Sequence, residues 1–412
     1  MAIKKSAAGK NLSKIMIQSY MDLHQKASAG AFNVWIAINA PGEIFSGFEN
    51  VVCSVPESHA AMCAGKGLSA KMCEKSENIG YSMDICSYAR IDIGNATDGG
   101  ADSPSFGLPK PDLMVSCNNN CALISKWFDV HHRQWGVPHF ILDIPYCYEP
   151  QKKQDHDYIV TQYHDLIRLV EKLSGQTFVL NKFTEATQNT FEAMCDWKRF
   201  LSTARHKPSP ISAFDSFVHM APFLTLRGTK ELKAHCKMLA DEAESRIETR
   251  DFPVPHEKYR LFWDNIAPWH QLRSMSDRLS KMGANIVAAA YTSCIGTEPG
   301  SFMTTTWDGE DPFDLHAKTV NGYSCANCID LRHKAMVDEI KKLSIDGVVF
   351  ASNRSCKPFS IGQMVQKGFV DEQFGVPGTL IDIDHADVRK YNEENSFLRI
   401  QAMLEQIQSK KG

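Results

Sequence analysis

No Gly-x-x-x-x-Gly-Lys-[Ser/Thr] loop occurs in this chain, so any nucleotide hydrolysis coupled to it must take place on another polypeptide. Gly-x-Gly-x-x-Gly after a strand, His-Glu-x-x-His and Gly-x-Ser-x-Gly are missing too. Their absence removes the sequence marks of dinucleotide binding, zinc proteolysis and serine hydrolysis. No apolar run approaches the roughly 20 residues needed to span a bilayer. A formal net charge of −3 gives no global attraction to nucleic acid or to an anionic membrane. The first residues, Met1 to Lys10, are basic, but no apolar core of a secretory signal follows, so a cytoplasmic protein is expected. Low-complexity tracts are absent.

What the chain has is length and cysteine. Its 412 residues suffice for two or three domains with real cores. In a reducing compartment its 13 cysteines should stay thiols, and an odd count fits thiols and metal ligation better than complete pairing. Cys53, Cys63, Cys195 and Cys236 read as small buried apolar residues.

Two segments resemble each other. The first runs Pro111-Asp-Leu-Met-Val-Ser-Cys-Asn-Asn-Asn-Cys121, then a helical stretch, then Gly136-Val-Pro-His-Phe-Ile-Leu-Asp143. The second runs Ile345-Asp-Gly-Val-Val-Phe-Ala-Ser-Asn-Arg-Ser-Cys356, a helical stretch, then Gly375-Val-Pro-Gly-Thr-Leu-Ile-Asp382. Each is an apolar strand, an Asn three residues before a Cys, a helix, a Gly-Val-Pro turn and a second strand. Such a unit places each Cys at the carboxyl end of a parallel strand, where open α/β sheets bind ligands. Two such cysteines facing each other from two domains suggest one shared site.

The remaining pattern predicts an amphipathic helix over residues 11–30 and strands over 33–39, 112–117 and 140–144, with a crossover helix over 125–135. A helix over 158–173 should stop at Gly175. Residues 182–248 read as almost wholly helical, broken at His206–Pro210 by two prolines. Further strands are expected at 260–263, 286–292, 347–351 and 379–383. The expected fold is α/β, with two doubly wound parallel-sheet domains joined by a helical segment. The boundaries are 1–155 for the N-terminal helix and first domain, 156–255 for the helical segment and 256–412 for the second domain.

Cys86, in Gly80-Tyr-Ser-Met-Asp-Ile-Cys86-Ser-Tyr-Ala-Arg90, sits where a loop enters a helix. A helix N-terminus there would favour its thiolate, the form that binds iron. Spacing alone leaves Cys86, Cys121 and Cys356 open to two readings, metal ligands or buried structural thiols. Cys325-Ala-Asn-Cys328 is a lone Cys-x-x-Cys, half a zinc site, a redox pair or two buried thiols. Cys117 is either a spare ligand or a packed strand end. His131-His132 reads as a helical pair facing solvent. Asp384-His385-Ala-Asp387 follows the last strand, where it either binds a polar group or caps a helix.

The motifs Gly80–Arg90, Cys117-Asn-Asn-Asn-Cys121 with Lys126-Trp127, and Asn353-Arg-Ser-Cys356-Lys-Pro resemble the larger, α-type subunit of 2-hydroxyacyl-CoA dehydratases. The related subunit of ATP-dependent benzoyl-CoA reductase belongs to the same superfamily. The resemblance runs from about residue 30 to 405 and includes Val55-Pro56-Glu57, Pro208-Ser-Pro with Arg227-Gly228, and Asp382–Arg389. It implies a [4Fe-4S] cluster on Cys86, Cys121 and Cys356 with its fourth iron position open. It also implies a smaller homologous iron–sulfur subunit as heterodimer partner and a separate ATP-dependent iron–sulfur activator. The implied activity is that of a lyase: one-electron reduction of an acyl-CoA thioester to a ketyl radical anion that expels the 2-hydroxyl. In the reductases the same radical leads to dearomatisation. Glu57 matches a family Glu near the substrate and would handle a proton, the alternative being a carboxylate that caps its helix. The chain departs from the dehydratase pattern at Ile36, where the family carries a Ser after the first strand's Trp, thought to contact the thioester carbonyl. Backbone N–H groups near Asn39 to Gly42 are the substitutes at hand. A subunit of an aryl-CoA reductase, or an electron-transfer protein without thioester turnover, are the alternatives this leaves.

Overall fold

A computed structural model of the protein describes residues 6–323 and 326–411. Short apolar runs bounded by turns become two four-stranded parallel sheets. The first contains β1 (Phe32–Ile36), β2 (Val51–Ser54), β3 (Leu113–Cys117) and β4 (His139–Leu142), in the order β2-β1-β3-β4. The second contains β5 (Tyr259–Asp264), β6 (Ala284–Ala289), β7 (Gly347–Asn353) and β8 (Gly378–Ile383), in the order β6-β5-β7-β8. The two orders are the same permutation, so the sequence repeat is a repeat of topology. Every residue of β3 is buried, as expected for a parallel strand covered on both faces. The chain reverses its winding between β1 and β3, and again between β5 and β7. Each sheet therefore has a switch point at the carboxyl ends of those strands.

The expected α/β class, two doubly wound sheets with a helical stretch between them, is what the chain adopts. Both copies of the crossover helix, Ala122–Trp135 and Gln363–Phe374, stop on a left-handed glycine, Gly136 at φ +67° and Gly375 at φ +63°. Each glycine N–H closes the last turn, on His132 O at 2.8 Å and on Asp371 O at 2.9 Å. The helix Lys153–Ser174 stops at Gly175 as expected. Residues 180–249 form three long or medium helices, Leu180–Ser202, Ala213–His219 and Lys230–Thr249, separated at the proline loop and again before Lys230. These helices share cores with both sheets. Phe183 packs with β1 and β3, while Trp197, Phe200 and Leu232 pack with β5 to β8.

Several expectations are corrected. β2 was not anticipated; it is four residues long and half-exposed over three of them, so it lacks a buried apolar run. The strand expected over 286–292 ends at Ala289, because Ala290–Ser293 already coils into a helical turn. The first helix begins at Ala7, and Ile17 faces solvent while Leu12 and Leu23 are buried. His131 is fully buried rather than exposed: its Nε2 lies 2.7 Å from Asp92 Oδ2 and its ring stacks on Trp135. Cys63 and Cys236 are buried as expected, but Cys53 is half-buried and Cys195 lies exposed on its helix.

The two sheets meet through a polar seam. Asp384, just after β8, accepts the Ser87 hydroxyl at 2.7 Å and the Ser355 hydroxyl at 2.8 Å. It also accepts the Ala386 and Asp387 N–H groups at 3.0 and 2.9 Å. Arg90, with no exposed side-chain surface, bridges Glu77 at 2.7 Å and Asp387 at 2.8 Å. On the far side of the seam, Asn119 donates to Asn321 Oδ1 at 2.9 Å and to Ala326 O at 3.2 Å. Removing one partner of a buried ion pair leaves the other charge uncompensated. Asp387→Ala should therefore destabilise the protein by about 3 kcal/mol, the low end for such a deletion because Glu77 still serves Arg90. Burial opposes ionisation of Asp387, yet its bonds to Arg389 and Arg90 win and bring its carboxyl down to about 2. The lowered value means that the wild-type advantage is full above the ordinary Asp range and fades as pH falls through 2. Urea titrations at pH 7 and pH 2.5 check both parts.

Candidate functional site

The carboxyl ends of the strands point into one cavity between the sheets. Ile38 follows β1, Asn120 and Cys121 follow β3, Ile266 follows β5, and Ser355 and Cys356 follow β7. Both switch points thus open onto the same space. Cys86, Cys121 and Cys356 all line it, with Glu57, Tyr88, Trp127, Tyr291, Tyr323, Phe359 and His385. The structure brings Cys86, Cys121, Cys356 and Glu57 together on this cavity and leaves Ile36, Cys117 and Cys328 off its wall. Ile38, Ile266 and Tyr291 were missed, although each lies a few residues past a strand end, the edge where a parallel sheet presents its ligands.

Each of the three cysteines stands at the residue before a helix. Cys86 precedes the helix Ser87–Ala96, Cys121 precedes Ala122–Trp135, and Cys356 precedes the short turn Lys357–Ser360. Burial dominates the Cys86 thiol and, with the neighbouring Cys121 and Cys356 sulfurs, pushes it well up; the Ala89 and Tyr88 N–H groups pull the other way. Cys121 is raised by burial against the N–H groups of Leu123 and Ile124. At both thiols burial outweighs the opposite pull of the helix end. The helix N–H groups still face the sulfurs, where they suit a thiolate whose proton a metal has displaced.

Among the described residues no set of three or more His, Cys, Asp or Glu side chains closes around a single ion. Three thiols on one cavity wall, each at the residue before a helix, are a donor set of the kind that holds an iron–sulfur group. Cys117 is packed into the first core and absent from the cavity wall, so it stands with the structural thiols. Cys328 contacts Tyr148 O at 3.3 Å, while Cys325 lies outside the described residues. No disulfide joins the described cysteines.

Glu57 occupies the first turn of the helix Pro56–Gly65 and reaches to the end of β1, where Oε1 accepts the Ile38 N–H at 3.0 Å. Its Oε2 is buried without a partner. Burial is the main cause that lifts its carboxyl to about 7, and the Asp92 charge adds to it. Ile36 does not reach the cavity; it packs in the first core near Gly42. The Ile38 N–H is spent on Glu57, and the Ile38 carbonyl accepts from Arg227 and, at 3.4 Å, from the Tyr323 hydroxyl. Under Cys86 lies His385, fully buried, with Nε2 3.6 Å from the sulfur and 3.0 Å from Ser87 Oγ, and Nδ1 3.0 Å from Asn353 Oδ1. Burial lowers its imidazole to about 4, so it is neutral at pH 7. The Asp384 to Asp387 segment thus serves the seam, and Asp387 also caps the short turn Val388–Lys390, its side chain accepting the Arg389 N–H at 3.1 Å.

No described helix is long and apolar enough to cross a membrane. The model of the family 2-hydroxyglutaryl-CoA dehydratase, D-component, matches residues 37–407. The (R)-phenyllactyl-CoA dehydratase alpha subunit of Clostridium sporogenes is 33% identical, over 92% of this chain and 90% of its own. The (R)-2-hydroxyisocaproyl-CoA dehydratase alpha subunit of Clostridioides difficile is 29% identical over 99% and 98%. A benzoyl-CoA reductase subunit of Thauera aromatica is 27% identical over 88% and 85%. With its two switch points opening on one cavity and a match along nearly its whole length, the chain belongs to the 2-hydroxyglutaryl-CoA dehydratase D-component family.

Proposed function

We propose that this chain is the cluster-bearing α-type subunit of a 2-hydroxyacyl-CoA dehydratase, removing water from a 2-hydroxyacyl-CoA by one-electron, ketyl-radical chemistry. The observation that carries the reading is the meeting of three helix-start cysteines and a buried carboxyl with one bare oxygen on one largely apolar cavity. Cys86, Cys121 and Cys356 would hold a [4Fe-4S] cluster with one iron left open. Bound there, such a cluster supplies single electrons and an iron that polarises a thioester carbonyl.

The chain's own residues do the rest. The apolar walls exclude water, which would quench a strongly reducing step. Glu57, tuned close to neutrality, holds or takes a proton through its bare Oε2 while Ile38 N–H fixes Oε1. The relatives are themselves named as subunits, so a partner subunit is expected, here a smaller homologous iron–sulfur chain. With no phosphate loop on this chain, the electron would arrive from an ATP-dependent iron–sulfur activator.

Anaerobic purification with iron and sulfide counting tests the ligand set. Cys86→Ala, Cys121→Ala and Cys356→Ala should each lose most of the iron, and full retention in one of them removes that cysteine. With partner and activator supplied, a 2-hydroxyacyl-CoA should be dehydrated. Turnover of a benzoyl-type thioester alone would move the chain to the reductases, and a cluster spectrum unmoved by any acyl-CoA would leave only electron transfer.

Glu57 yields a separate expectation from its raised carboxyl. The folded state holds the proton more tightly than the unfolded chain, so this residue costs stability as pH rises from 4.5 to 7, by about 3 kcal/mol in all. Glu57→Gln should therefore melt close to wild type at pH 5 and higher than wild type at pH 8, while losing turnover at both. Paired thermal melts at the two pH values check it; an equal shift at both would mean that Glu57 does not titrate in this range.

A further inference from the structure

The cavity also bears on the acyl group. Resting on the thioester reading above, we propose that the acyl group it takes is uncharged and ends in an aromatic ring. No Lys or Arg lines the cavity among the described residues, and its one imidazole, His385, is buried and hydrogen-bonded to Ser87 and Asn353. A terminal carboxylate would be buried there beside Glu57 with no cation to pair with, a costly placement. Arg227, which bonds the carbonyl of the wall residue Ile38, spends its donors on the carbonyls of Phe223, Ala40 and Ile38 and on the Tyr323 hydroxyl.

Ring carbon from both halves of the chain faces the space, beside the aliphatic Ile38, Leu123, Ile124, Ile266 and Pro358. Tyr88 and Trp127 come from the first half, Tyr291, Tyr323 and Phe359 from the second. The polar atoms of three of them are bound within the protein. The Trp127 indole donates to Asp92 at 2.7 Å, the Tyr88 oxygen accepts from the Trp269 indole, and the Tyr323 hydroxyl reaches Ile38 O at 3.4 Å. Phe359 is held by Arg332, which donates to its carbonyl at 3.0 Å and lies 5.2 Å from its ring centre. Rings fixed in this way offer faces and edges without having to be ordered by the ligand. They reward a ring that meets them edge-to-face or offset, beyond the area it buries.

The test is equilibrium binding to the assembled complex with the activator withheld, so that nothing turns over. Calorimetry would compare the CoA thioesters of 2-hydroxy-3-phenylpropanoate, 2-hydroxy-4-methylpentanoate and 2-hydroxyglutarate. The phenyl thioester should bind about tenfold tighter than the branched one, and the dicarboxylic one weakest. Phe359→Leu should bring the first two within about twofold of each other by removing one ring from the wall; should that variant not fold, Tyr291→Leu reads the same ratio. Equal or tighter binding of the branched thioester, or a gap that survives the substitution, overturns the aromatic assignment and leaves the thioester reading standing. Failure of all three to bind overturns the thioester reading itself.

Discussion

One carboxylate holds the site together. Asp384 receives the hydroxyls of Ser87 and Ser355, and these are the residues next to Cys86 and Cys356. Two loops from opposite ends of the chain are thereby fixed to a single side chain, in a dry seam where a hydrogen bond left unmade costs its full desolvation. Two backbone N–H groups complete the oxygen shell of that carboxylate. Everything else about the cavity follows from this fixed approach: the facing of the two switch points, the shared wall of cysteines and the exclusion of charge.

The repeat explains why so much of the framework could be read from sequence. A parallel strand covered on both faces must be a short unbroken apolar run, and β3 and β7 are such runs. The left-handed glycines after the crossover helices are demanded by backbone geometry, so Gly136 and Gly375 were visible as stops. Where packing decides, sequence is silent. His131 is buried with its Nε2 2.7 Å from the Asp92 carboxylate on another helix, and no local periodicity records that partner. Cys195 is exposed on its helix, again a tertiary fact.

The site divides in the same way. Its cysteines stood out through motif and position, whereas Tyr291, Ile266 and Ile38 are ordinary residues made into walls only by where strands end. The thiol chemistry shows the same limit. A helix start is a local feature and was legible at Cys86, but the desolvation that outweighs it comes from both halves of the fold. Likewise Glu57 owes its near-neutral carboxyl to burial, which the Val-Pro-Glu segment does not announce.

The distribution of the cysteines has a consequence for biogenesis. Cys86 and Cys121 leave the ribosome long before Cys356, which belongs to the last-made sheet. A cofactor gripped by all three can be installed only after synthesis has passed β7 and the halves have docked across Asp384.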